Sequence, residues 1–369
     1  MKAKIIIIGL AILALSCESR QYFIAEVENP VYKPNMIFQT MEDLSNPGFS
    51  HLIEKYQLDT IFHGETDEFK RILLLRHWIK SVIKIEDHSP HYSGEGYAEG
   101  ILDAALGGEG FHCGHFMVVQ NGIMNAYGYL TRALGAGPGV QGVEGPDGHH
   151  GINEIWINQF NKWVLFDAKY DHHFEKNGIP LSSLEIRDEY LKNKGTDILL
   201  VQGPDRKSID FNEEMQRPKV SFARTYTWIT WQGNGDFFSA WPDHSGKVVM
   251  YEDDFYTANI WVREGKPCWI YDNMDVMSLI KDRDHIEWTP NTITTEVNIE
   301  GSSASIQLIS DTPNLKEYQV RESSSGDWSK TGENFTLDLK KKKYELAFRA
   351  VNLASVAGPE HKVIIDSEL

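Results

Sequence analysis

The sequence predicts an α+β fold: a mixed helix-and-strand segment carries a thiol site, and two β-rich blocks follow it. Three observations lead there. Cys113, His150 and Asp167 occur in that order, the residue types of a thiol nucleophile, its base and the group that orients the base. Apolar residues after Cys113 recur at helical spacing, whereas Ile152–Ile157 and Trp163–Lys169 read as strands joined by a short polar loop. Beyond residue 218, tryptophans and alternating apolar residues replace helical periodicity.

The 369 residues exceed one ordinary domain. A net charge of −17 without a basic cluster excludes nucleic acid as a partner and favours solubility. Residues 1–17 read as a signal: Lys2 and Lys4, an apolar run from Ile5 to Leu15, then Ser16-Cys17. That run is too short to span a bilayer comfortably. Cys17 resembles the lipidated cysteine of a bacterial lipoprotein; Ala14-Leu15-Ser16 also fits an ordinary cleavage site, and lipidation is favoured. The expected location is the bacterial cell envelope, on a membrane face.

Residues 18–60 form a tether and lead-in punctuated by Asn29-Pro30, Lys33-Pro34 and Asn46-Pro47-Gly48. The catalytic segment is expected over 61–200. Thr66 is a candidate N-cap for a helix carrying Phe69, Ile72, Leu75, Ile79 and Val82. A glycine-rich loop with His88 and His91 comes next and suits a cleft wall. Phe116, Val119, Ile123, Tyr127, Leu130 and Leu134 predict one helix from Cys113, with Arg132 in its last turn and Gly135 as C-cap. At that helix's N-terminus the unsatisfied N–H groups favour a thiolate and can serve an oxyanion hole.

His150, Ile152, Glu154 and Trp156 share one strand face, as do Trp163, Leu165 and Asp167. Pairing about the loop centre brings Asp167 within a residue or two of opposite His150. The competing explanation is a buried structural cysteine near an unrelated histidine. A Cys113–Cys268 disulfide is a second alternative, disfavoured because Cys113 sits in a chemical motif.

These residues also carry a family resemblance. Cys113 opening a helix toward Tyr129–Gly135, His150 four residues before Glu154-Ile155-Trp156, and Trp163-Val164-Leu165-Phe166-Asp167-Ala168 resemble the transglutaminase-like superfamily over residues 60–190. The resemblance implies a papain-like core with Cys113 as nucleophile, His150 as base and Asp167 as orienter. His149 is also a histidine, and His150 is chosen for its spacing to Glu154. Members include peptidases, acyltransferases, amidases and inactive relatives, so the reaction stays open.

His115, His149, Tyr170 and His172 are candidate substrate contacts. His112, His115, His172 and His173 lack recognised ligand spacing, so neither metal nor cofactor is expected. Residues 201–292 read as a β-rich middle domain with Trp228, Trp231, Trp241, Trp261 and Trp269 as core or as a sugar platform. Residues 293–369 resemble a fibronectin type III or immunoglobulin-like sandwich, a spacer without chemistry. The predicted function is an exported thiol hydrolase acting on an amide or peptide bond. Its partners would be an extracytoplasmic protein, peptide or glycan and, through the lipid, a membrane. The alternatives are a carbohydrate-active enzyme and an inactive binding relative.

Overall fold

The computed structural model describes residues 20–28, 30–87, 97–137, 150–238, 248–251, 253, 262–263, 266–267 and 277–368. Cys17, His88, His91, His149, Trp241, Trp261, Cys268 and Trp269 lie outside the described residues. The chain is α+β, as its sequence predicts.

One six-stranded sheet organises the site. Its strands run in the order Met277–Ile280, Val248–Tyr251, Trp228–Gln232, Thr131–Gly137, His150–Ile157, Lys162–Phe166. Alternation along the His150 strand divides the interior. Ile155 and Ile157 join a core with the helices Glu68–Val82, Tyr97–Leu106 and Cys113–Ala126. Ile152 and Trp156 join a second core with Trp163, Trp231 and Trp288. The three outer strands belong to 201–292, so part of that stretch extends the sheet of the Cys113 segment. Trp228 and Trp231 are buried in it.

Two helix boundaries differ from expectation. Asp67, not Thr66, caps the first long helix, its carboxylate accepting the Lys70 N–H at 2.9 Å. The Cys113 helix stops at Ala126, and Gly128 then turns with φ +74°. A Cβ there would also lie 2.5 Å from the Ala354 side chain, so glycine is required twice over. Thr131–Gly137 is therefore a strand, and Arg132 faces Glu154 across it with a buried Nη2–Oε2 distance of 2.6 Å. A strand buried on both faces shows no alternation, and Leu130 and Leu134 then imitate helical spacing.

The hairpin pairs Trp156 with Trp163 and Asn153 with Phe166. Its register, continued by one pair, sets Asp167 opposite Ile152, two residues from His150.

The C-terminal residues fold as two facing sheets around Ile306, Leu346, Phe348 and Val363. One contains Ile293–Glu300, Ser303–Ser310 and Asn334–Asp338. The other orders Gln21–Glu28, His361–Glu368, Lys343–Asn352, Leu315–Glu322 and Ser329–Thr331. The first of these strands comes from the stretch expected to be a tether. It pairs antiparallel with the last strand of the chain, and the Tyr22 hydroxyl donates to the Leu339 carbonyl at 3.0 Å.

Candidate active site

Cys113 is the first residue of its helix and is a free thiol. His112 is the N-cap, and its Nδ1 accepts the Gly114 N–H at 3.1 Å. The helix end presses against the His150 strand at Gly151, where a Cβ would meet Gly114 Cα at 3.4 Å. The absent side chain lets the Gly151 N–H hydrogen-bond to the Cys113 sulfur. His150, which opens the neighbouring strand, also favours the ionised sulfur.

Nε2 of His150 lies 2.6 Å from Oδ2 of Asp167, and Asp167 is fully buried. Since Nε2 faces the carboxylate, the ring's Nδ1 is the atom left for the sulfur. Asp167 sits at the base of a tight turn in which it and His172 exchange backbone hydrogen bonds. Its Oδ1 accepts the Tyr170 N–H at 3.2 Å, and its Oδ2 accepts the Tyr226 hydroxyl at 3.3 Å. The Tyr170 ring stacks on His150 with centroids 5.2 Å apart.

These contacts set the charges. Burial would push the Cys113 thiol up, but hydrogen bonds from His112 and His150, the His150 charge and the Gly151 N–H outweigh it and hold the thiol at about 4. Burial alone would lower His150; the Asp167 charge and hydrogen bond raise it well above the ordinary imidazole range. Burial opposes ionisation of Asp167 too, yet His150 keeps its carboxyl well below the usual carboxylate range. The resting pair is thiolate and imidazolium. Such a pair can attack an acyl carbonyl and protonate a departing nitrogen.

The other candidates are placed differently. His115 and His172 are fully buried, so direct substrate contact does not fit either of them. His115 packs against the rings of Phe111 and His112. His172 lies against Tyr170 and Phe222, and burial holds it neutral, down to about 3. Tyr170 is 5% exposed and acts on His150 as a stacked ring. His172 and His173, adjacent on one strand, do point apart: His173 meets Arg76 and Glu175 instead. Among the described residues, no three His, Cys, Asp or Glu side chains form a group that could hold a metal ion.

Three neighbours carry little sequence signal. His112 adjoins Cys113, but its capping role depends on the exact start of the helix. Gly151 contributes through a missing side chain. Tyr226 reaches Asp167 from 59 residues away, and no local pattern predicts that.

No family model and no curated protein matches the sequence. A solved structure described as a "Putative Cysteine Protease", from Cytophaga hutchinsonii, is similar over 41% of this chain and 67% of that chain, at 13% identity and a TM-score of 0.26. A likeness of that size carries no argument about fold or chemistry.

Proposed function

We propose that this protein is an exported, transglutaminase-like thiol enzyme that hydrolyses an amide or peptide bond through a thioester at Cys113. The supporting observation is the 2.6 Å His150–Asp167 hydrogen bond together with a Cys113 thiol that His112 and His150 hold far below its ordinary value.

The chemistry follows from those charges. The Cys113 thiolate attacks the carbonyl carbon and forms the C–S bond. The first-turn N–H groups of Gly114 and His115 are already used by His112, which leaves the N–H of Cys113 itself as the helix donor for the oxyanion. As the C–N bond breaks, the imidazolium of His150 gives its proton to the leaving nitrogen. The neutral ring then takes a proton from water, and the resulting hydroxide equivalent cleaves the thioester. Release of the acid restores thiolate and imidazolium. Asp167 holds the ring and balances its charge throughout. With an amine in place of water, the same steps amount to acyl transfer.

The carbohydrate alternative loses two of its five candidate rings, because Trp228 and Trp231 are buried and cannot stack on a sugar. Amine release from a panel of peptides and side-chain amides tests the proposal. Turnover that stops on iodoacetamide treatment and in Cys113→Ala supports it; turnover indifferent to both excludes it.

The organisation proposed around the site is a Cys17 lipid anchor and a fibronectin-like C-terminal sandwich serving as spacer. Pairing of Gln21–Glu28 with His361–Glu368 would then put the sandwich next to the membrane and hold the enzyme segment beyond it.

A further inference from the structure

Lys169 stands two residues beyond Asp167, on the turn that Asp167 and His172 close. Its side chain is 5% exposed, unusual for a lysine, and its ammonium hydrogen-bonds to the carboxylate of Asp87. Asp87 has a definite place relative to the nucleophile. Lys84–Ile85 pairs in parallel with Gly110–Phe111, with Ile85 level with Phe111, and the Glu86 N–H continues the ladder to the Phe111 carbonyl at 3.0 Å. Asp87 follows Ile85 by two residues and Cys113 follows Phe111 by two, so both lie just beyond the paired strand ends. The Lys169 ammonium thus reaches from the Asp167 turn to the strand ends from which the Cys113 helix starts. It also lies 5.1 Å from the centre of the Tyr170 ring, the ring that stacks on His150. Its charge and that of Cys113 stabilise one another.

An ammonium has three N–H donors, and Asp87 accepts one of them among the described residues. Asp87 is the exchangeable partner, because its side chain is 49% exposed while Lys169 is fixed by burial. We propose that Lys169 forms an anion subsite beside Cys113, so that the enzyme selects acyl donors bearing a carboxylate close to the bond it cleaves. A substrate carboxylate would join or displace Asp87 on the largely buried ammonium and gain a charge-assisted hydrogen bond. A neutral donor has nothing to offer there. The proposal rests on the thiol-enzyme reading and names the substrate class for it.

Two small alkylators test it without knowledge of the natural substrate. Iodoacetate and iodoacetamide both react by attack of the thiolate on carbon with loss of iodide. They differ in presenting a carboxylate or a carboxamide. The ratio of their rate constants, taken at a single pH so that thiol ionisation cancels, is compared with the ratio for glutathione. Cys113 should favour iodoacetate by about tenfold over that reference, the factor expected of one charge-assisted hydrogen bond. Lys169→Met should lower the ratio about tenfold from wild type, leaving only the preference that the His150 imidazolium itself gives. Asp87→Asn, which frees the ammonium without removing it, should raise the ratio above wild type. A wild-type ratio equal to that of glutathione overturns the proposal, as does a ratio left unchanged by Lys169→Met. Should Lys169→Met not fold, the absence of a rise in Asp87→Asn overturns it alone. A Cys113 that reacts with iodoacetamide at acidic pH but shows no anion preference defeats only the subsite. A Cys113 unreactive there defeats the thiol-enzyme reading and the subsite with it.

Discussion

His150 and Asp167, seventeen residues apart in sequence, meet through a 2.6 Å hydrogen bond between Nε2 and Oδ2. The bond joins the first residue of one strand to the residue just past the end of its hairpin partner. It turns a neutral imidazole into a buried cation, and that cation in turn stabilises a thiolate at Cys113.

Asp167→Asn should lower turnover by roughly 10²- to 10⁴-fold, the range an orienting carboxylate contributes in other triads. Cys113→Ser should cost more, since it removes the nucleophile while hardly changing volume. Tyr226→Phe acts differently. With one donor fewer on Oδ2, more of the Asp167 charge falls on His150, and the imidazolium should lose its proton at higher pH. An NMR titration of the His150 ring reads that shift, and a downward shift would contradict it.

His172 should make the fold acid-sensitive. Its folded value is about 3, whereas an unfolded histidine titrates near about 6.5. Between those limits the unfolded chain binds the extra proton, so stability falls as pH falls. His172→Phe removes the group while keeping a ring among Tyr170, Phe174 and Phe222. Urea midpoints measured across that window should decline less steeply in the variant; parallel profiles would refute the assignment.

The meeting of His150 with Asp167 is legible in the sequence because it follows from strand alternation and a short loop, both local. The end of the Cys113 helix is not. Leu130, just before a strand buried on both faces, and Leu134 within it keep helical spacing, and only the positive φ of Gly128 separates the two elements. Contacts made across long separations leave no local trace. Tyr226 on Asp167 is one such contact, and the strand Gln21–Glu28 on the far C-terminal sandwich is another. The outer strands of the six-stranded sheet are distant for the same reason: Trp228–Gln232 reads as β, but nothing nearby says that Leu134 is its partner.

The Gln21–Glu28 strand yields a stability prediction. A form lacking residues 1–28 should melt below one lacking 1–19, because it uncovers the edge of His361–Glu368 and loses the Tyr22–Leu339 hydrogen bond. Each 1 kcal/mol lost moves a domain of this size by about 4–8 °C. Equal melting temperatures in calorimetry would show that the strand adds nothing.

For the proposed anchor, Cys17→Ser should move the protein from the membrane to the soluble envelope fraction, since stable anchoring needs the acyl chains attached there. Fractionation that leaves the variant on the membrane would exclude lipidation at Cys17.

The central claim is that His150, together with His112, holds Cys113 as a thiolate, and iodoacetamide labelling of Cys113 against pH tests the His150 part most directly. The wild-type thiol should titrate at about 4. His150→Ala should move the midpoint far toward the free-cysteine value of about 8.5, and His149→Ala should move it little. A wild-type midpoint near that of free cysteine, or one that responds to His149→Ala and not to His150→Ala, would contradict the account.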